Sequence, residues 1–159
     1  LNIASIIKSL PNCKTILDIG SGSLVLKNYL GDGFQYYNAD IIKRDESTFI
    51  IDLNKHEFVN KKFDCICLIG VLEYLNDIEW VLKKSYQYSN YIIFTYNFLA
   101  SCNLFLKFFK IYQRNKLGWV SHHSLESIFE ILVKNDFKSI KFFPRSRQHN
   151  EEAVFLAYK

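Results

Sequence analysis

Asp18, Gly20 and Gly22 stand within Thr-Ile-Leu-Asp-Ile-Gly-Ser-Gly, residues 15 to 22, and this run concentrates more chemistry than any other part of the 159-residue chain. An apolar run that breaks into Gly-x-Gly reads as a buried strand turning sharply. Only glycine lets backbone approach a ligand closely and take positive φ without a Cβ clash. The acid before the turn narrows the choice of ligand, because a carboxylate repels a pyrophosphate but holds an ammonium or a ribose hydroxyl. Asp18 therefore favours a nucleoside-type cofactor with a positive end.

Two further acids fall where an open parallel sheet binds its ligands, at the carboxyl ends of strands. Asp40 ends the second predicted strand, at about the distance in sequence from Asp18 at which an acid reaches ribose hydroxyls. Asp52 ends the third, where its carboxylate can accept from an adenine amino group while the Leu53 N–H meets a ring nitrogen. Aspartate is also a common cap and turn residue, so each position has a purely structural alternative. Taken together the three acids outline an adenosine.

The stretch Asp18-Ile19-Gly20-Ser21-Gly22-Ser23-Leu24 resembles the first motif of class I S-adenosylmethionine-dependent methyltransferases, of the small-molecule type. That motif usually carries a third glycine where Leu24 stands here. By the resemblance, Asp18, Gly20, Ser21 and Gly22 bind S-adenosylmethionine, and Asp40 with Ile41 meets the ribose. Asp52 and Leu53 then contact adenine. Phe63-Asp64-Cys65-Ile66-Cys67-Leu68-Ile69-Gly70-Val71-Leu72-Glu73-Tyr74 is similar to the family's fourth strand and the turn after it, which would bring Ile69 and Gly70 to the amino acid end of the cofactor. The implied fold is α/β: a Rossmann-like three-layer sandwich with a mostly parallel seven-stranded sheet and one antiparallel strand near the C-terminus, between strands five and six. S-adenosylhomocysteine is the implied product, and no metal is required.

The elements that must position these residues alternate between extended and helical patterns along the whole chain. A leading helix over 3–10 stops at Pro11. Strands follow at 15–19, 35–39, 49–53, 64–69 and 91–96, with a helix from Leu24 to Leu30 behind the glycine turn. Asn76-Asp77-Ile78-Glu79 and Ser124-Leu125-Glu126-Ser127 each open a helix with a polar cap. A closing antiparallel pair spans 139–143 and 153–158, joined by the polar stretch Arg145 to Glu152. Asp64, at the start of the fourth strand, reads as structural. The chain reads as one domain, 1–159, in which 97–123 is the least regular part and a substrate-side insertion or cover. Its many large apolar residues exceed what one amphipathic stripe needs, and burial beneath the sheet is the expected reason.

Composition limits the partners. Apolar residues make up 49% of the chain and only two prolines interrupt it, which excludes a disordered or linker-rich protein. The net charge of +4 comes from dispersed basic residues. Their tightest grouping, Lys107, Lys110, Arg114 and Lys116, reads as a solvated helix face, with contact between 98–112 and an acidic membrane the less favoured reading. Four cysteines without a CxxC spacing read as reduced thiols, and no signal peptide or long apolar segment stands out, so a cytoplasmic protein is expected. The lack of methionine, including at position 1, implies that residue 1 follows a processed or unrecorded beginning.

Methyl transfer is an in-line displacement, so the protein must align a nucleophile and, where that is protic, remove a proton. His122 and His123 are the only side chains named as candidate bases, and each also suits a structural place at a helix cap. Tyr96 and Asn97, ending the fifth strand, are candidates to line the acceptor pocket. Gly70-Val71-Leu72-Glu73 stands where methyltransferases of nucleic-acid bases carry Asn/Asp-Pro-Pro-Tyr/Phe, so nucleic acid is disfavoured and a small-molecule or sugar-type acceptor is expected. Two other classes stay open. A nicotinamide-dependent oxidoreductase would want a third glycine where Val25 stands, and a non-catalytic module could keep the fold for binding or scaffolding.

Overall fold

The apolar run before the glycines forms β1 (Thr15–Ile19), and in the computed structural model this strand lies inside the sheet with neighbours on both sides. The structure describes residues 2–100, 102–144 and 152–159. Around β1, chain order runs α1 (Ile3–Lys8), β1, α2 (Val25–Leu30), β2 (Gln35–Asp40), β3 (Phe49–Ile50), β4 (Phe63–Leu68), α3 (Ile78–Tyr88), β5 (Ser89–Asn97), α4 (Leu104–Lys116), α5 (Leu125–Lys134), β6 (Ser139–Pro144) and β7 (Glu152–Tyr158). Among the described residues these strands make one seven-stranded sheet in the order β3-β2-β1-β4-β5-β7-β6. The pairs from β3 to β5 are parallel, and β7 runs antiparallel to both β5 and β6. This is the α/β architecture expected from sequence, with the antiparallel strand between the fifth and sixth. The polar connection expected at 145–152 lies, apart from Glu152, outside the described residues.

Alternation along β1 sorts its side chains between two cores. Leu17 and Ile19 join Ile66, Leu68, Ile92, Phe94 and the buried faces of α3 and α5. On the opposite face Ile16 packs with Cys65, Cys67, Ile93 and the apolar sides of α1 and α2. Parallel strands covered on both faces must be apolar almost throughout, which is why the polar exceptions are informative. Asp18 is one of them, and register places it beside Asn38 on β2 and Cys67 on β4. All four cysteines are free; Cys65 and Cys67 share a face with their sulfurs 3.9 Å apart.

The opposite end of the sheet is locked by one carboxylate. Asp64 Oδ2 accepts from the Lys14 N–H at 2.9 Å, the Thr15 N–H at 2.8 Å and the Thr15 hydroxyl at 2.8 Å. Thr15 Oγ1 in turn accepts from the Asp64 N–H. This reciprocal clamp sets the register of β1 against β4 and bears out the structural reading of Asp64.

Three elements differ from expectation. The third strand is only Phe49–Ile50, because Asp52 turns its carboxylate onto the Asn54 N–H and opens a 3-10 turn at Leu53–Lys55 instead of continuing the ladder. Leu24 does not begin the helix behind the glycines but precedes it at φ 59°. The region 97–123 contains a thirteen-residue helix, α4, whose large apolar side chains are exposed instead of covered by the sheet.

Burial raises the affinity of the Asp64 carboxyl for its proton, yet the hydrogen bonds from Thr15 and Lys14 outweigh it and hold the group below its ordinary 3.8. Its contribution to stability is therefore complete above that ordinary value and lost as pH falls through the lower folded one. Asp64→Ala is expected to cost roughly 1–3 kcal/mol in urea unfolding at pH 7, a gap that narrows in strong acid.

Candidate functional site

The bend after β1 is shaped by three successive amides that all donate to the end of β2. Gly20 N–H reaches Ala39 O at 2.7 Å, Ser21 N–H the same oxygen at 3.3 Å, and Gly22 N–H the Asp40 Oδ2 at 3.0 Å. Gly20 and Gly22 take φ +71° and +52°, conformations that disfavour side chains. At Gly20 space forbids one as well, since an added Cβ would lie 2.3 Å from Val71 Cγ2. Leu24 occupies the place of the family's third glycine and still adopts the left-handed conformation that glycine would. Its side chain lines neither of the cavities described next, so the cost of Leu24 falls on backbone strain and not on ligand space.

Two cavities meet over this bend, and both are lined by Gly20 and Gly22. One, of about 500 Å³, is bounded by Asp18, Ser21 and Ile69 together with Asn2 and Ala4 at the start of the chain. The other, of about 450 Å³, is bounded by Asp40, Ile41, Asp52, Leu53 and Gly70, with Arg44 and Val71. The strand order reverses between β1 and β4, so the crevice occupies the topological switch point where such sheets bind ligands. Asp18, Gly20, Ser21, Gly22, Asp40, Ile41, Asp52, Leu53, Ile69 and Gly70 are thus all brought to the walls of these two cavities.

Asp18 is 4% exposed, and Tyr36 donates to its Oδ2 at 2.6 Å. Among the described residues no donor reaches the other oxygen. Burial is the main influence on the group; together with the charge of Asp40 it outweighs the Tyr36 hydrogen bond and pushes the carboxyl up to about 6. At neutral pH Asp18 is a partly compensated buried anion, and a cation placed in the first cavity would relieve it. Ser21 Oγ, also buried there, has no partner. Both groups leave hydrogen-bonding capacity for a polar ligand.

Asp40 is engaged by its own chain. Besides Gly22 it accepts from the Ile42 N–H at 3.2 Å, and Arg44 approaches both oxygens, Nε to Oδ2 at 2.9 Å and one Nη to Oδ1 at 3.2 Å. Burial acts to raise this carboxyl, but the Arg44 and backbone hydrogen bonds prevail and hold it below the ordinary range. Asp52 points into the turn it caps and lies 3.5 Å from Lys55 Nζ. The apolar wall beside it, Ile41, Ile51, Leu53, Val71 and Leu75, is a surface on which a flat ring can lie.

The histidines are not brought to these cavities. His122 lines a third, of about 320 Å³, with Leu99, Cys102, Lys107, Ser124 and Glu126, and none of the residues lining it lines the other two. Its Nε2 pairs with Asn115 at 2.8 Å and its buried Nδ1 has no partner. His123 Nδ1 pairs with Ser127, and its N–H donates to the Tyr96 hydroxyl. Burial lowers both imidazoles, the Arg114 charge adds to the effect at His122, and His123 adds to it only where it is itself protonated, so the neutral form prevails in both at pH 7. Tyr96 is fully buried with its hydroxyl on Ser121 and lines none of the three cavities, unlike the acceptor-pocket role expected of it. Asn97 is held by Glu73, whose Oε1 takes both its N–H and its side-chain amide.

Four residues at or behind the crevice escaped the sequence reading: Tyr36, Arg44, Val71 and Glu73. Arg44 follows Asp40 at the i,i+4 spacing of an ion pair, and Glu73 is a lone acid among apolar residues, so both left a trace in the sequence. Tyr36 and Val71 left none, since only the pairing of strands brings them to the bend. Among the described residues no group of three or more His, Cys, Asp or Glu is placed to hold a metal ion.

Comparison with known proteins agrees with this fold. The sequence model of a family described as a methyltransferase domain matches residues 2–141. A SAM-dependent methyltransferase from Archaeoglobus fulgidus superposes with a TM-score of 0.71 at 15% identity, covering 98% of this chain and 90% of that one. Magnesium protoporphyrin IX methyltransferase from Synechocystis, solved with bound SAH, gives 0.71 at 17% identity, with 99% and 80% covered. A putative methyltransferase from Bacillus halodurans gives 0.75 at 9% identity, with 98% and 96% covered. No curated protein matches the sequence.

The raised Asp18 carboxyl has a measurable consequence. Below the ordinary 3.8 both folded and unfolded chains are protonated there; as pH rises through about 6 the folded chain must accept a buried charge and loses stability. Asp18→Asn is expected to be more stable than the parent at pH 8, by at most about 3 kcal/mol in urea unfolding, with the two converging toward pH 4.

Proposed function

We infer, from the premise that the chain belongs to the methyltransferase-domain family, that it transfers a methyl group from S-adenosylmethionine to a small-molecule acceptor. The observation that carries this reading is the pair of cavities joined across Gly20 and Gly22, which together suit one elongated ligand with chemically different ends. The end beside Asp18 and Ser21 takes an ammonium and its neighbouring polar groups. The end beside Ile41, Leu53 and Val71 takes a flat ring, with the Asp52 carboxylate and the Leu53 N–H at its edge, and Asp40 lies between for two hydroxyls. Gly70 leaves open space where a Cβ would point, so backbone at the end of β4 can approach the ligand.

When bound, the sulfonium supplies an activated methyl group, and S-adenosylhomocysteine is left after transfer. The work of the chain is to bind and orient. Asp18 neutralises positive charge in a nearly dry setting, where the interaction is stronger than in water. Asp40 both fixes the bend through Gly22 and offers its oxygens to the ribose once Arg44 withdraws. His122, neutral at pH 7 and with a buried nitrogen still unpartnered, lines a cavity separate from the crevice, so it is the proton acceptor we assign only for a protic acceptor that extends from that cavity to the bound methyl group. His123, tied to Ser127 and Tyr96, is assigned to holding that segment in place. The Arg44–Asp40 pair supports a second reading, in which a methyltransferase fold is retained as a binding module.

Titration calorimetry with S-adenosylmethionine and S-adenosylhomocysteine separates the two. Binding of both supports the enzyme; binding of neither, in the parent and in Arg44→Ala alike, supports the module. Arg44→Ala is expected to tighten binding roughly tenfold by freeing Asp40, whereas Asp40→Ala should weaken it by about 1–3 kcal/mol and also lower stability, since the Gly22 and Ile42 amides lose their acceptor. Affinity is expected to be flat above pH 7 and to fall about tenfold by pH 5 as Asp18 protonates, a dependence absent in Asp18→Asn.

A further inference from the structure

Asp18 is buried in the middle of the sheet, yet neither of the residues paired with it supports its charge. Register sets Asn38 of β2 on one side of it and Cys67 of β4 on the other. Asn38 spends its amide on Asp45, with Nδ2 at 3.1 and 3.2 Å from the two carboxylate oxygens, and has left only Oδ1, which can accept but not donate. The Cys67 sulfur lies against that of Cys65. Among the described residues the one donor that reaches Asp18 is the Tyr36 hydroxyl, 2.6 Å from Oδ2. Tyr36 pairs with Ile16, one same-face step before the pair of Asp18 with Asn38, so its ring packs on the core under α1 and α2 while its hydroxyl reaches along the strands toward their carboxyl ends.

The charged groups nearby have other partners. Asp40, beyond Asn38 on β2, is paired with Arg44. On α2, Lys27 stands 5.9 Å from the centre of the Tyr36 ring and 3.9 Å from Asp45, and on α1, Lys8 donates to Tyr29 O. The phenol is a dependable donor, because burial and the Asp18 charge raise it far above the ordinary phenol range and it keeps its proton wherever Asp18 titrates. With one oxygen of Asp18 so fixed, the other is left for the cavity of about 500 Å³ that Asp18 lines together with the unpartnered Ser21 hydroxyl. Tyr36 itself lines neither crevice cavity, so whatever it does for a ligand there it does through Asp18.

We propose that Tyr36 is a positioning residue of the cofactor site: its hydroxyl holds Asp18 Oδ2 against β2, so that Oδ1 stands oriented in the cavity for the ammonium of the ligand. This rests on the reading that Asp18 meets S-adenosylmethionine. The orientation is set before the ligand arrives, which spares binding the cost of ordering the carboxylate. Without the hydroxyl, Asp18 would be a buried carboxylate with no donor, and it would take up a proton at a pH where the parent is ionised.

The experiment compares the parent with Tyr36→Phe, which keeps the ring and its packing and removes only the hydroxyl. In the unliganded chain the Asp18 carboxyl carbon, assigned by its loss in Asp18→Asn, is followed by carbon NMR as pH is varied. Its midpoint is expected at about 6 in the parent, with Asp18 at least about tenfold weaker as an acid in the variant. Titration calorimetry with S-adenosylhomocysteine is then expected to show a loss of affinity in the variant that grows from about twofold at pH 7 to about tenfold at pH 5. A tyrosine that only fills space leaves the midpoint where it is and, if its hydroxyl affects affinity at all, does so equally at every pH. An unmoved midpoint therefore overturns the proposal, as does an affinity that is unchanged or lowered by the same factor throughout. If the parent binds neither S-adenosylhomocysteine nor S-adenosylmethionine, the methyl-transfer reading fails, while the midpoint measured without ligand still decides whether Tyr36 holds Asp18.

Discussion

Everything at the crevice depends on the end of β2 accepting three consecutive amides from the bend after β1. Ala39 O and the Asp40 carboxylate hold Gly20, Ser21 and Gly22 in a shape that their glycine conformations permit and that Val71 closes from the other side. Two strands that are neighbours in a parallel sheet thus shape one loop, and the space left on either side of it is the binding crevice.

The acids around that bend show how one sheet edge can hold carboxylates in opposed electrostatic conditions. Asp18 is buried with a single phenolic donor and keeps its proton to a higher pH than usual, whereas Asp40 is surrounded by donors and is ionised to a lower one. The first is poised to gain from a cation. The second is already satisfied, and a ligand must displace a guanidinium to use it. Affinity at this crevice is accordingly a difference between two sets of interactions, and Arg44 is the residue that most directly sets the difference.

The parts that were legible in sequence share a physical reason. β1 is fixed by a local rule, an apolar run ended by Gly-x-Gly, and the positions of Asp18, Asp40 and Asp52 follow from the tendency of strand ends to line a crevice. The family resemblance supplied the one feature that periodicity could not, the antiparallel strand between β5 and β6. What was missed depends on pairings distant in sequence. Tyr36 reaches Asp18 only because β1 and β2 are in register, and His122 lies at a separate cavity because α4 and the segment after it lead the chain away from the bend. The apolar content of 97–123 divides: Phe98 and Leu99 are buried as expected, while the large apolar residues of α4 are exposed, and only the burial of Arg114 reveals which way that helix is rotated.

The paired thiols of β4 give the sheet a chemical memory of its integrity. Cys65 is raised well above the ordinary thiol range by its hydrogen bonds to Cys13 and Cys67 and by burial. Cys67, although drawn down by Cys65, is raised overall by burial and the nearby Asp18 charge. Both sulfurs are buried and their ionisation is disfavoured while β1, β4 and β5 remain together, so an alkylating reagent reaches them chiefly when those strands part. The rate at which these two sulfurs are modified is thus a clock for the opening of the innermost strands, built into the same core that supports the glycine bend.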